Sequence, residues 1–248
     1  MCSYYIIQMK VGAIMYEPFV HKVFTGKVKT LGDPDAKDPM DREWTTGIFK
    51  KPTNAQIWLT KTGLSGDEQG DKKNHGGPEK ALFAYPIKHY KAWQEELNID
   101  IDVGGMGENL AVLEMDEYSV CIGDTYKLGD AIIQVSQPRQ PCWRPARRHR
   151  IKDLALRIQN TGRTGWYFRV LQEGHIISKI DFELLERPNP QWTIAAANEA
   201  MHVHKNDLKM TEELATLKEL APNWKRTLNN RLRGRERDIK RRVYGPNE

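Results

Sequence analysis

Residues 119–138, SVCIGDTYKLGDAIIQVSQP, decide how the chain is to be read. Apolar residues alternate through the run, and Gly-Asp pairs at 123–124 and 129–130 interrupt it. Such pairs between short alternating stretches are hairpin signals, so the segment reads as antiparallel strands and not as helix. The run stops at Pro138, which has no N–H to give to a ladder and starts a loop.

Working outward, the same texture recurs on both sides. FVHKVFTGKVKTLG (19–32) alternates and turns at Gly26, and AQIWLTKTG (55–63) is a strand leaving into a glycine turn. KALFAYP (80–86) is a short apolar strand stopped by Pro86, and GENLAVLEM (107–115) returns to strand. TGWYFRVLQEGHIISKIDFELLER (164–187) reads as two strands about Glu173–Gly174. Helical spacing occurs twice among them. Ile87, Tyr90, Trp93 and Leu97 share one face in IKHYKAWQEELNI, and IKDLALRIQNTG is amphipathic and ends at Gly162. Many short strands with few helices predict a mainly β, α+β fold: a barrel or folded sheet with peripheral helices. Behind the Pro-rich break RPNPQW (187–192) the pattern turns helical. Thr193 stands at an N-cap position, DLKMTEELATLKEL follows, and Pro222 opens NWKRTLNNRLRG. The expected division is a β domain over 1–190 and a small three-helix domain over 191–248.

Composition narrows the class. At 248 residues, with 39% hydrophobic and 29% charged side chains, the chain can bury a sizeable core. No apolar run approaches the roughly 20 residues that span a membrane, and the opening residues lack the layout of a signal peptide. Cys2, Cys121 and Cys142 are odd in number and far apart, which argues against a disulfide framework and a structural zinc site and for a reducing cytoplasm. Cys121, inside a strand pattern, reads as core, and Cys2 as a terminal bystander. The net charge of +5 suits anionic small molecules and nucleic acid alike.

Four stretches hold polar residues that a plain core does not need. TGKV presents Lys27 after a glycine, where a lone lysine is more often a solvated hairpin residue. In DEQGDKKNHGGPEK, Lys72 and Lys73 precede His75, and Gly76-Gly77 let the backbone bend close to a ligand. GGMGENLAV places Asn109, both donor and acceptor, beside Gly104, Gly105 and Gly107. It has no GxGxxG spacing, and no βαβ unit is expected to frame it. The fourth is SQPRQPCWRPARRHR (136–150). Pro138 and Pro141 stiffen the loop and present Cys142 away from any strand. Nearby cations such as Arg139 and Arg144 would push its thiol, ordinarily near pKa 8.5, toward thiolate. A thiolate is a nucleophile and a soft metal ligand. A Cys142–His75 hydrolase could be assembled, but no third orienting group is evident, and so many guanidinium groups favour an anion with several oxygens.

Taken together and in order, TGLSGDEQGDKKNHGGPEKALFAYP (62–86), GENL (107–110) and VSQPRQPCWR (135–144) resemble the MOSC domain of molybdenum-cofactor proteins, and more narrowly the YiiM-like branch. The likeness runs over nearly the whole chain, through QNTGRTGWYFRVLQEG to the tail, which is similar to that branch's three-helix extension. The resemblance implies a MOSC-type β-barrel that binds the molybdopterin form of the molybdenum cofactor. It makes Cys142 the metal ligand, places His75 and Lys27 at the site as anion donors or proton sources, and assigns Asn109, Arg139, Lys73, Gly107 and Ser136 to cofactor binding. Arg147, Arg148 and Arg150 are then left as a solvated helix start. The implied reaction is reduction of N-hydroxylated compounds: hydroxylaminopurines, amidoximes and hydroxylamines. Since the chain has no flavin, haem or iron–sulfur motif, the electrons would come from a separate flavin- or iron–sulfur-type reductase. Two alternatives stay open. One is a sulfur carrier holding a persulfide on Cys142. The other is a nucleic-acid-binding protein, which is disfavoured because aromatic residues do not interleave with the basic runs.

Overall fold

A computed structural model of the protein describes residues 17–236 and 238–248 and, of Lys73, the backbone alone. Cys2 lies outside the described residues. Fourteen strands are formed: β1 (Phe19–Thr25), β2 (Lys29–Leu31), β3 (Trp44–Thr46), β4 (Lys51–Thr53), β5 (Ile57–Thr60), β6 (Gly63–Leu64), β7 (Leu82–Pro86), β8 (Leu110–Leu113), β9 (Thr125–Leu128), β10 (Ala131–Pro138), β11 (Trp166–Gln172), β12 (Gly174–Ile176), β13 (Ile180–Asp181) and β14 (Glu183–Glu186). The helices are α1 (Lys72–His75), α2 (Lys88–Leu97), α3 (Trp143–His149), α4 (Leu154–Thr161), α5 (Ile194–His202), α6 (Leu208–Thr216), α7 (Pro222–Leu232) and α8 (Lys240–Val243).

The main sheet runs β13-β1-β8-β7-β11-β10-β9-β14, with β4 added to β1. Its two outermost strands are separated in sequence by a single residue, Phe182, so the sheet must curl back on itself. Phe182 is buried inside the curl, stacked on Phe168 with ring centroids 6.1 Å apart and edge-on to Tyr126. The sheet is mixed: β7 and β8 pair in parallel, and the other pairs are antiparallel.

Two-residue periodicity explains why some strands are apolar on both faces. In β7, Leu82 and Ala84 enter one hydrophobic core, while Phe83 and Tyr85 enter a second. In β11, Trp166 and Phe168 go to the first core and Tyr167 to the second. The first core fills the curl. The second lies outside it, closed by Trp93 of α2, Ala146 of α3, and Leu154 and Ile158 of α4. The candidate site opens beside this second core, where Phe83 and Tyr167 reach a cavity. The first core does not stop at residue 190: Ile194, Ala197, Leu214, Trp224 and Leu228 of α5–α7 belong to it.

Three details correct the strand reading. Gly129–Asp130 does turn a hairpin, joining β9 to β10, but Gly123–Asp124 does not. Residues 120–122 instead bond to the start of α5, Ile122 N to Trp192 O at 2.8 Å and Ile194 N to Val120 O at 2.9 Å. The chain turns after β1, yet β2 pairs with β3 and not with β1. The glycine stretch at 104–107 is framed by a βαβ unit after all, since β7, α2 and β8 form a parallel pair with a helical crossover. Both strands are short and apolar on both faces, so their sequence carries no mark of the parallel pairing.

Candidate functional site

Strand β10 delivers the cysteine. Arg139 N continues the ladder past Pro138 by donating to Gly165 O at 3.0 Å, and the chain then turns through Pro141 to Cys142, the N-cap residue of α3. Cys142 is 7% exposed, and its thiol lies 3.6 Å from His75 Nε2. His75 ends α1, a single turn whose N-cap Asp71 accepts from Asn74 N at 3.1 Å. A loop far away in sequence thus sets an imidazole against the sulfur. Among the described residues no hydrogen bond orients the other ring nitrogen, so the third member of a hydrolytic triad is lacking.

Burial alone would push the Cys142 thiol upward. The charge on His75 and its hydrogen bond, with the Arg139 guanidinium and the Arg144 backbone N–H, outweigh burial and bring the thiol down to about 5. His75 Nε2 also stands 2.9 Å from Arg144 Nη1. Arginine only donates, so the two contacts exclude each other. An Nε2 that carries its hydrogen donates to the sulfur, and one that does not accepts from Arg144, whose Nη2 also lies 3.5 Å from Asp71 Oδ2.

Two cavities meet at this thiol and share Asp71, His75, Lys80, Cys142, Arg144 and Tyr167. The inner one is walled by residues 46–48, Lys50, residues 67–71, Met106, Gly107, Asn109 and Arg139. Its charges are locked. Lys50 is ion-paired to Asp67 in the interior, and burial holds its ammonium below the usual lysine range despite that partner. Asp67 accepts further from Gly26 N and from Asn109 Nδ2, both at 2.9 Å. Asn109 also donates to Phe24 O at 3.3 Å and accepts from Phe83 N at 3.2 Å, so its amide organises the wall. Arg139 is the exception. It lies 4.8 Å over the Phe83 ring and is 4% exposed, but its Nη1 is buried without a hydrogen-bond partner among the described residues.

The other sequence candidates fall in different places. Gly107 lines the inner cavity at φ +82°, and a Cβ there would meet Ile48 Cγ1 at 2.7 Å, so glycine serves close packing as well as conformation. Ser136 is fully buried, its hydroxyl within 2.7 Å of Glu79 O and 3.1 Å of Tyr167 O, and it does not line either cavity. Lys27 is 65% exposed and pairs with Glu68 at 3.0 Å, on the rim and off the lining. The Lys73 side chain lies outside what is described.

The arginines of α3 are not a solvated helix start, with the exception of Arg150, which is exposed beside Asp38 and Asp41. Arg147 is 4% exposed and sits between the Trp44 and Trp143 rings, donating to Asn247 Oδ1, Arg42 O, Pro39 O and Pro246 O. Arg148 donates to Ile48 O at 2.7 Å and Gly104 O at 2.9 Å, tying α3 to the inner wall. Carbonyl clusters and indole faces from distant loops, invisible to local pattern, make these positions interior. The C-terminal segment completes the mounting. Arg242 donates to Pro141 O and to Gln159 Oε1, and Asn247 Nδ2 to Trp143 O at 3.2 Å. At Gly245, φ +55°, a Cβ would stand 2.2 Å from Trp143 Cδ1. Sequence reasoning missed Lys50, Asp67, Asp71, Lys80 and Tyr167 as wall residues. The only local hint was the density of charged side chains around His75.

Known proteins share this architecture. Residues 71–179 match the MOSC domain, and residues 192–235 match the YiiM-like, 3-alpha helix domain. Protein YiiM of Escherichia coli (strain K12) is 35% identical over 227 residues, which is 90% of this chain and 97% of that one. A protein named Reductase from Gibberella moniliformis is 36% identical over 185 residues, 73% of this chain and 33% of its own length. The crystal structure of YiiM from Geobacillus stearothermophilus aligns with a TM-score of 0.73 at 33% identity, covering 87% of this chain and 99% of that one. The chain belongs to the YiiM-like family of MOSC-domain proteins.

Proposed function

We propose that this YiiM-like MOSC protein is a molybdenum-cofactor-dependent reductase of N-hydroxylated compounds, with Cys142 as the protein's ligand to the metal. The observation that carries the reading is a buried thiol held near pKa 5 in a cavity that also contains an unpaired, buried Arg139 Nη1. A thiolate is the soft donor that a sulfur-rich metal centre takes. An orphaned guanidinium N–H in a closed wall asks for an anionic oxygen such as the cofactor's phosphate. The donor set therefore fits the group. No cluster of three or more His, Cys, Asp or Glu among the described residues offers a metal an all-protein cage, which a pterin-borne metal does not need.

When bound, the cofactor would supply the two-electron chemistry that reduces the N–O bond. The net change is R–NH–OH plus two electrons and two protons to R–NH2 plus water. The chain's own residues do the rest. Cys142 anchors, Arg139 neutralises the anion, and Asn109 with Asp67 and Lys50 keeps the inner wall rigid. His75 Nε2 lies beside the sulfur as a proton donor to it, and Arg144 shares the same ring nitrogen. A separate flavin- or iron–sulfur-type reductase delivers the electrons.

The test uses protein from a host that makes the cofactor, with a chemically reduced viologen as donor. Amidoxime and hydroxylamine should be reduced by the wild type, and Cys142→Ser should lose at least about 1000-fold in kcat/KM, on the order of 4 kcal/mol of barrier. A persulfide at Cys142 in protein that takes up no molybdenum, with no N–O reduction, would replace this reading with a sulfur carrier.

A further inference from the structure

The outer cavity is far larger than the reaction needs. Its volume is about 1010 Å³, at the top of the range for small-molecule sites, whereas an N–OH group is two heavy atoms. It starts at Cys142 and His75 and runs outward under α7 and the C-terminal segment. Eight of its lining residues are lysine or arginine, and three are aspartate or glutamate.

These cations are of two kinds. Arg231 and Arg242 are committed to structure: Arg231 to Ala200 O, Met201 O and Glu236, Arg242 to Pro141 O and Gln159. Arg226, Arg235 and Arg241 are exposed and make no ion pair or side-chain hydrogen bond among the described residues. Nearer the thiol, Lys80 donates to Asn74 O at 2.5 Å and lies over the Tyr167 ring, and both burial and the nearby Arg226 charge press its ammonium down. Positive charge therefore outnumbers negative along the cavity, eight cations to three carboxylates. Behind it His202 has a buried Nε2 with no partner among the described residues and is held neutral, its pKa near 3, by burial and by Arg242, Lys205 and Arg231. Such excess repels itself until an anion enters.

We propose that this cavity binds the phosphate of the substrate: the enzyme's preferred N-hydroxylated compounds are phosphate monoesters of nucleotide size, with the N–OH end at Cys142 and the phosphate among Arg226, Arg235 and Arg241. The proposal rests on the reductase reading and names its substrate class. A cofactor phosphate is the other source of the same chemistry, and location separates the two. A group that stays bound suits the desolvated inner wall, where Arg139 is buried, whereas a ligand exchanged at each turnover suits the exposed guanidinium groups of Arg226, Arg235 and Arg241. Single-stranded nucleic acid is disfavoured because the aromatic faces near the thiol are already covered, Trp143 by Arg144 and Arg147 and Tyr167 by Lys80.

Binding is measured first, by calorimetry on the full chain with adenosine 5′-monophosphate and adenosine as probes. The monophosphate should bind at least 10-fold tighter than the nucleoside and be displaced by inorganic phosphate, with that margin lost in Arg226→Gln/Arg241→Gln. The loaded enzyme is then assayed with an N-hydroxylated nucleoside and its 5′-monophosphate. The wild type should favour the monophosphate at least 10-fold in kcat/KM, chiefly through KM, and the double variant should lose that margin while keeping its molybdenum and its rate on the nucleoside. Equal binding or turnover of the two probes would overturn the proposal. So would loss of molybdenum in the double variant, which would assign the cleft to the cofactor, or an oligonucleotide that outcompetes the mononucleotide. Monophosphate binding with no N–O reduction of either compound would leave the phosphate site standing and sink the reductase reading instead.

Discussion

The two cavities that meet at Cys142 differ in how their charges are balanced. In the inner one Lys50 faces Asp67, Asn109 has both ends of its amide engaged, and Arg139 Nη1 is buried in the wall without a partner among the described residues. In the outer one Arg226, Arg235 and Arg241 are exposed and make no ion pair among the described residues. Preorganised, desolvated polar groups suit a resident group held through many turnovers. Exposed, unpaired guanidinium groups suit a ligand that arrives, is oriented and leaves. Cys142 lies where the two cavities meet, which on the proposed reading is where the resident cofactor and the exchanged substrate would touch.

Several variants would break or sharpen that contrast. The largest effect is expected from His75→Gln, which removes the charge and hydrogen bond that oppose burial. The pH midpoint for alkylation of Cys142 in cofactor-free protein should sit near 5 in the wild type and rise by two units or more in the variant. Midpoints are the proper readout, because a thiolate's intrinsic nucleophilicity falls along with its pKa. The sign for stability follows. A thiol depressed to about 5 when folded, against about 8.5 when unfolded, contributes its full stabilisation above pH 8.5, and the contribution is lost as pH falls through 5. An unmoved midpoint in His75→Gln would remove the imidazole from the account of the thiolate.

Next is Arg147→Leu, which leaves four oxygens without their donor and two indoles without their cation. A loss of about 3 kcal/mol is expected from denaturant titration, together with faster proteolysis after residue 238 as the C-terminal segment comes off Trp143. A variant as stable as the wild type would return Arg147 to the solvated surface. The smallest effect belongs to Lys27→Ala. An exposed pair with Glu68 contributes little, so kcat/KM should change less than about twofold, and a 10-fold loss would bring Lys27 into the inner cavity's chemistry.

How far these regions were legible in the sequence follows the range of the forces that build them. The β10 strand, the helix ending at Gly162 and the cap at Thr193 are fixed by neighbours in the chain, and they stand where alternation and capping place them. The Cys142 loop was readable because prolines act locally on the backbone. The inner wall was harder, since Asp67 becomes structural only when Lys50 and Asn109 arrive from 17 and 42 residues away. Arg147 shows the limit most sharply: in sequence it is one more arginine in a basic run, and only loops about 100 residues off make it interior. The parallel β7–β8 pair was hidden because strands covered on both faces lose the polar alternation that marks direction of burial.

The central claim is that Cys142 ligates molybdenum, and elemental analysis tests it most directly. Wild type and Cys142→Ser are purified side by side from a cofactor-making host, with folding of the variant verified by circular dichroism. The expected result is close to one molybdenum per chain in the wild type and close to none in the variant. A folded Cys142→Ser protein carrying as much molybdenum as the wild type would contradict it.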